Sequence, residues 1–317
     1  MGISRDSIIK GPGVVTFDSA VIFAKGDIDN PETMETVEHE SSAHGRVLET
    51  IKERVTSVSF DPVGDWSQIA TIMPYRAFVP GQSIFTNTDK PLVITSRNGE
   101  TRTYPAAAIT KLPSVLLSSV KTMLGPIEFR TIGTEASDWS ATGSSVTDVD
   151  SGVTFPISTF ASTNIPVMRY IGALGSVSGW TSIETTDGWT LDFELSTEDV
   201  FTDGQGLVDI IFKEIKVMAR CTPIGKTAAQ VNALLGWQGT GTVASRGKSL
   251  ALNANNLVIS GQDGTGSPMV TINKVAAKSA GYKFGSTTLR LGEIGFVGTS
   301  SFTSGVKDPI YTFGTTS

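Results

Sequence analysis

The chain has 317 residues, of which 39% are hydrophobic and 18% are charged, a composition typical of a folded protein with room for two domains. A net charge of −6 argues against tight binding to nucleic acid, which requires a basic surface. Cys221 is the single cysteine, which excludes an internal disulfide, and its place in an alternating apolar pattern predicts a buried thiol.

The apolar runs are too short to cross a bilayer, which takes about 20 residues. The first residues also lack the apolar region of a secretion signal. We therefore expect no membrane anchor, and synthesis and assembly in the cytoplasm.

The first predicted elements are a strand at Val21-Ile22-Phe23 and a connection, residues 26–45, that leads back to a strand at Val47. This connection is rich in carboxylates, and its only possible cations are His39 and His44, whose spacing does not suit a metal site. A long acidic loop usually orders against a partner or stays mobile. Its candidate contact residues are Asp27, Asp29, Glu32, Glu35, Glu38 and Glu40.

The strand that follows, residues 45–60, changes its apolar parity part of the way along. Val47 and Ile51 share one parity, whereas Val58 and Phe60 share the other, and the change spans Lys52-Glu53. A strand that switches its buried face needs a bulge or a bend. The sequence therefore predicts a bulge or a bend at this Lys-Glu pair, followed by a short helix over residues 65–73.

The next predicted elements are a strand at residues 92–95 that runs into an Asn98-Gly99 turn, and a strand at residues 124–129. Residues 136–165 are rich in Ser and Thr with little periodicity, which indicates a linker or an extended surface segment. We predict a first domain at residues 1–135, this linker, and a second domain at residues 166–317.

The second domain repeats the first. Residues 206–225 align without gaps with residues 45–64, and six of the 20 positions are identical. Later blocks match in the same order: residues 257–264 match 92–99, and residues 291–296 match 124–129. These matches predict two diverged versions of one domain; two generic β domains with similar turns are the alternative.

The parity change is repeated as well. Val208, Ile210 and Phe212 share one parity, and the phase shifts at Lys213-Glu214 before Ile215. A second helix is predicted over residues 226–235, with Thr227 as its N-cap. The strand residues expected to pack or to pair are Val47, Ile51, Val58, Phe60, Val208, Ile210, Phe212 and Val217.

The residues supply no catalytic constellation. Both histidines lie in the acidic loop, so no Ser-His-Asp or Cys-His site can be built elsewhere. Residues 224–227 resemble the end of a phosphate-binding loop, but Arg220 stands where that motif requires glycine. We expect no enzyme activity, no cofactor and no metal.

The order of these features resembles the tail tube proteins of long-tailed phages. The resemblance lies in the start GPGVVTFDSAVIFAKGDI, the strand ending in FDPVGDW and the closing strand GPIEFRTIG, and covers residues 11–135 and 166–305. It implies a mainly β fold, with a β-sandwich and a flanking short helix in each of two tandem tube-like domains. Inner strands of such domains join around a ring into a barrel, and no catalytic residues carry over.

The resemblance also implies a function and partners. The chain would be a structural virion protein in the tail, forming rings of three chains and six domains that stack around passing DNA. Its partners would be itself and the terminator, distal tail and tape measure proteins, and the loop at residues 26–45 would contact the next ring. Two alternatives stay open: a distal tail or baseplate hub ring protein, and a carbohydrate-binding adhesin that uses exposed Trp139 and Trp180.

Overall fold

A computed structural model describes residues 14–63, 66, 69–85, 90–95, 100–119, 123–131, 140, 141, 168–175, 177, 179–202, 206–227, 229, 230, 234, 255–284, 289–300 and 302–317. This part of the chain is mainly antiparallel β-strand with a short α-helix, which confirms the predicted fold class. No helix within it has the length and apolarity needed to span a bilayer.

The N-terminal half, residues 14–141, contains two sheets, the helix α1 (Ile69–Ile72) and a 3-10 helix (Pro74–Ala77). Its strands are β1 (Val14–Phe17), β2 (Ala20–Phe23), β3 (Glu32–Ser41), β4 (Gly45–Phe60), β5 (Leu92–Thr95), β6 (Glu100–Tyr104), β7 (Ala107–Lys111), β8 (Val115–Leu117), β9 (Met123–Leu124), β10 (Ile127–Thr131) and β11 (Ser140–Ala141). The two sheets are ordered β11-β6-β5-β1-β2 and β3-β4-β10-β7.

The C-terminal half, residues 168–317, forms one large sheet and a small separate hairpin. Its strands are β12 (Tyr170–Leu174), β13 (Thr185–Thr202), β14 (Gly206–Pro223), β15 (Asn255–Gly261), β16 (Pro268–Phe284), β17 (Leu289–Gly298), β18 (Phe302–Thr303), β19 (Val306–Lys307) and β20 (Tyr311–Thr315). The large sheet is ordered β12-β15-β16-β17-β14-β13, is extended by β8 and β9, and has β20 paired with β16. The hairpin is β18-β19.

The two halves have the same strand order. β3-β4-β10-β7 corresponds to β13-β14-β17-β16, and β1-β5-β6 corresponds to β12-β15-β16. The long strand β16 takes the place of both β6 and β7, because its first part pairs with β15 and its second part with β17. β11 pairs with β6 as β20 pairs with β16.

The predicted change of face at the Lys-Glu pairs is present, and in both strands it is a bulge rather than a bend. In the β3-β4 ladder the register passes from Glu53 to Ile51, which leaves Lys52 unpaired. In the β13-β14 ladder it passes from Glu214 to Phe212, which leaves Lys213 unpaired. The parity change in the sequence therefore correctly located an extra residue in each long strand.

A second bulge, which the sequence did not predict, lies nearer to the hairpin turn. The β3-β4 register passes from Leu48 to Arg46, and the β13-β14 register passes from Asp209 to Leu207. The extra residues are Val47 and Val208, which occupy equivalent positions in the alignment. Two shared bulges make the long hairpins of the two halves structurally equivalent.

The acidic connection differs from the prediction. Residues 32–41 are not a loop but strand β3, paired with β4, and Val21-Ile22-Phe23 pairs with β1 rather than leading a hairpin to Val47. The strand was not predicted from the sequence because carboxylates are rare in strands. Their repulsion is reduced by arginines, since Arg102 pairs with Glu32 and Arg46 pairs with Glu38.

One continuous apolar core runs through both halves. Phe129 of the N-terminal half and Phe296 of the C-terminal half are fully buried in it at equivalent positions. Cys221 is buried as predicted, and burial raises the pKa of its thiol well above the usual range. β11 extends the N-terminal half to residue 141, past the predicted boundary at residue 135, while residues 142–165 of the predicted linker lie outside the described part.

Candidate functional site

The contact between the two halves, called the joint below, combines strand pairing, aromatic packing and an ion pair. One part of the joint is a strand pairing, in which β8 lies along the outer edge of β13 and Leu116 faces Thr190. Gly188 lies at this contact with φ +87°. A Cβ there would lie 2.2 Å from the carbonyl oxygen of Leu117, so the two backbones approach as closely as glycine permits.

A second part of the joint lies along β14. The N–H of Gly81 donates to the carbonyl of Phe212 (2.9 Å), and the N–H of Phe212 donates to the carbonyl of Gln82 (2.8 Å). Further along, the N–H of Ile84 donates to the carbonyl of Ile210 (2.9 Å). The segment 81–84 therefore acts as an extra strand on this edge of β14, which protects the edge from other pairings.

Aromatic side chains fill the space under this pairing. The rings of Tyr75 and Phe78 lie 6.4 and 5.8 Å from the ring of Phe212. Lys307 places its ammonium 5.3 Å from the centre of the same ring and donates to the carbonyl of Phe78. Burial lowers the pKa of Lys307. A cation over an aromatic face and a carbonyl partner together compensate for its desolvation.

The C-terminal strand completes the joint. The hydroxyl of Tyr311 donates to the carbonyl of Met73 (3.1 Å), and the indole of Trp66 donates to the carbonyl of Gly314 (2.8 Å). Arg130 forms an ion pair with Asp199 at 2.6 Å. Strand pairing, apolar packing and charge therefore all connect the N-terminal half to the C-terminal half.

The predicted acidic contact residues differ in their surroundings. Asp29 pairs with Ser59 through its backbone, and Glu32 and Glu38 each bind an arginine of the same half. Asp27 and Glu40 are exposed, and the side chain of Glu35 lies outside the described part.

The predicted strand residues behave differently from one another. Two of them, Val47 and Val208, are the extra residues of the bulges nearer to the hairpin turns. Val47 is 60% exposed and Val208 is half-buried. The side chain of Ile51 lies outside the described part. The buried members of the set are Val58, Phe60, Ile210, Phe212 and Val217.

The sequence pattern did not predict some of the contacts in the joint. Tyr75 and Phe78 stand three apart after Pro74, which is a weak hint of an apolar face, but their partner Phe212 is far away in the chain. The pairing of β8 with β13 has no sequence signature at all, because edge pairing depends on backbone groups.

The motifs that resemble chemical sites have structural roles. Lys226 donates to the carbonyls of Gly179 and Ser182 at 2.7 Å each and lies over the ring of Trp180. Thr227 and Gln230 form a reciprocal cap, which confirms the predicted N-cap. Within the described ranges, no group of His, Cys, Asp and Glu residues could hold a metal ion.

The outer part of the β3-β4 hairpin, residues 36–50, is unlike its counterpart. Almost every residue in it is exposed, including the apolar Val37 (42%), Val47 (60%) and Leu48 (55%). In the equivalent part of β14, Leu207 and Ile210 are buried. The difference arises because the joint covers the hairpin of the C-terminal half only.

Comparison with known proteins gives distant structural likenesses. No protein-family model and no curated protein matches the chain. A chain of the extracellular contractile injection system PVC sheath-tube complex in its extended state matches 51% of this chain and 99% of its own length, with TM-score 0.34 and 14% identity. A chain of the anti-feeding prophage tube-terminating cap matches 51% of this chain and 93% of its own length, with TM-score 0.30 and 14% identity. At these values neither likeness defines a family or a function for this chain.

Proposed function

We propose that this chain is a structural subunit of a phage-tail-like tube, located in the virion tail, and that it assembles with copies of itself into closed rings that stack. Each ring contains three chains and therefore six tube-like units. The observation that carries the proposal is the joint, in which one unit already contacts the next inside a single chain.

The duplication supports this proposal. Strand order, both bulges and the aligned sequence blocks recur in the two halves, which supports the proposal that each half is one version of the same unit. Two equivalent units in contact by unlike surfaces form a head-to-tail pair. Head-to-tail contacts repeat with further copies until the rotation closes a ring.

Uncovered strand edges would favour the association of further chains. The edge of β13 at Thr190 is covered by β8, and its counterpart, Asp29, is exposed. Asp29 and Thr190 correspond because they pair with Ser59 and Arg220, which are aligned. Open strand edges favour pairing with other chains, and closure into a ring removes them.

The remaining features fit a conduit. The net charge of −6 suits a lumen past which DNA slides as cargo without binding. We propose no catalytic role, and the terminator, distal tail and tape measure proteins are partners by resemblance only. The adhesin alternative is not favoured, because Trp180 is fully buried and cannot stack on a sugar. Trp139 lies outside the described part.

Electron microscopy of the purified protein, together with its mass in solution, tests the proposal. We expect rings with the mass of three chains, six similar lobes in projection, and tubes at high protein concentration. A protein that stays monomeric under all assembly conditions would contradict the proposal. Single rings that never stack would favour the hub protein instead of the tube.

A further inference from the structure

We infer that the edge of β4 near Val47 and Leu48 is a docking surface for another molecule of this chain, which adds an extended segment along it. The inference rests on the proposed function and deepens it, because it assigns the surface through which one chain contacts the next. It also replaces an acidic contact by an apolar one.

The joint provides the pattern for this contact. Val47 and Leu48 align with Val208 and Asp209, which are half-buried, and segment 81–84 pairs with the residues that follow them, Ile210 and Phe212. The hydroxyl of Ser83 donates to the carboxylate of Asp209 at 2.6 Å. An extended segment at this position of the unit therefore contacts the side chain of Asp209 and the strand edge together.

In the N-terminal half the same edge is open in the part of the chain that the structure describes. β4 pairs with β10 only from Ser57 to Phe60, and the hydroxyl of Thr131 donates to the carbonyl of Thr56, but no described strand pairs with this edge from Gly45 to Val55. Val47 and Leu48 are 60% and 55% exposed there. Two neighbouring apolar side chains beside an open strand edge form a surface that a further strand would bury.

The charged face of the same hairpin is already satisfied. Arg46 pairs with Glu38 at 3.2 Å and with Glu49 on the face opposite to Leu48. A two-stranded ribbon exposed on both faces is marginally stable by itself. Because the charges pair with one another, the apolar side is the one that gains most from a partner.

Another molecule of this chain is the occupant that the contacts favour. The described example of a segment that fits this edge is segment 81–84, which belongs to the same repeated unit. Among the described residues, each chain therefore has one such edge that is filled from within and one that no strand covers. A head-to-tail neighbour would supply to the open edge the contact that the joint supplies to the filled one.

Single substitutions test this surface. We compare Leu48→Lys and Val47→Lys with Ile224→Lys, a control at an apolar residue that is also half exposed (50%) but directly follows β14 in the C-terminal half. Sedimentation velocity over a concentration series measures association. We expect each hairpin variant to weaken association at least about tenfold, the loss that follows when one buried apolar contact is replaced by a charge. The control should associate like the wild type, and circular dichroism should show that all variants are folded.

Two further measurements make the outcomes distinct. Hydrogen exchange of peptides covering residues 45–51 should slow on assembly, because the open edge gains hydrogen bonds. Association should persist at high salt, whereas an acidic contact would weaken. Unchanged association in both hairpin variants, or an edge that is already protected in the monomer, would overturn this inference while leaving the rings intact. A wild-type chain that forms no rings would instead contradict the proposed function.

Discussion

Gly188 lies where β13 meets the strand contributed by the other half of the chain. Its φ of +87° is available to glycine at little cost, and the missing side chain lets the carbonyl of Leu117 approach. Gly305 has a similar φ of +81°, but no atom lies within 4 Å of where its Cβ would be. The two positions therefore separate the cost of the backbone angle from the cost of the close approach.

We predict that Gly188→Ala destabilises the protein by about 3 kcal/mol, whereas Gly305→Ala costs about 1 kcal/mol. A left-handed angle costs an alanine roughly 1–2 kcal/mol at either site. At position 188 the methyl group must also displace the backbone of β8, and such overpacking costs about 1–3 kcal/mol more. Urea unfolding of the two variants measures the difference. Equal losses would show that the approach of β8 to β13 does not require glycine.

The long hairpins show how an element can be shared while its environment is not. Lys52 and Lys213 are the extra residues of bulges at equivalent places, and neither has a partner residue in its strand ladder. In the C-terminal half the bulge turns Ile210 and Phe212 toward the core, where the joint covers them. In the N-terminal half, the residues of β4 that follow the turn, 45–50, are exposed whichever face they lie on.

We predict that deletion of Lys213 prevents stable folding, whereas deletion of Lys52 is tolerated. Removing the extra residue moves the outer part of the strand to the opposite face. In the C-terminal half this exposes Ile210 and Phe212, at a cost of about 1.5–3 kcal/mol for each large apolar side chain. Thermal unfolding and solubility of the two deletion variants provide the measurement. Similar losses would mean that the bulges do not set which side chains are buried.

The parts of the fold that leave a local pattern were predictable from the sequence. The bulges at Lys52 and Lys213 were predictable because the apolar alternation changes phase there, whereas those at Val47 and Val208 were not. β3 was not, because its many carboxylates hide a strand whose charges are balanced by Arg46 and Arg102 from elsewhere in the chain. Val47 fits an inward pattern and is exposed, since parity alone does not reveal which face of a bulged residue has a neighbour.

The joint could not be predicted for a related reason. Phe212 has the pattern of an ordinary inward strand residue, and nothing near it indicates that Tyr75 and Phe78 would cover it. Lys307, which lies over the same ring, comes from a third part of the chain. Contacts between residues so distant in the chain require the whole topology before any of them can be assigned.

On the scale of the whole molecule, the two halves share one apolar core although their strand order is the same. Edge pairing at β8 and β14 and the packing under Phe212 add to this continuity. Independent tandem domains unfold separately, whereas domains with a shared core lose structure together. The extent of the joint favours a single cooperative unit, in which damage to one half is felt in the other.

Cys221 allows this coupling to be measured. Its thiol is buried in the C-terminal half and burial raises its pKa, so it should react with a thiol reagent only when the protein opens. Phe129→Leu and Phe296→Leu remove the same buried ring at equivalent positions of the two halves. We predict that both accelerate labelling of Cys221 by a similar factor, about tenfold for each 1.4 kcal/mol of lost stability.

Val306→Ala, at a residue that is 69% exposed, serves as the control and should leave the labelling rate unchanged. Labelling in concentrated urea corrects for any difference in the intrinsic reactivity of the thiol. If Phe129→Leu lowers the stability of the N-terminal half by hydrogen exchange and yet leaves Cys221 protected, the halves open independently. The joint would then be a contact between separately unfolding domains. The contacts between chains, which are proposed by analogy with the joint, would also be weaker than the packing inside each domain.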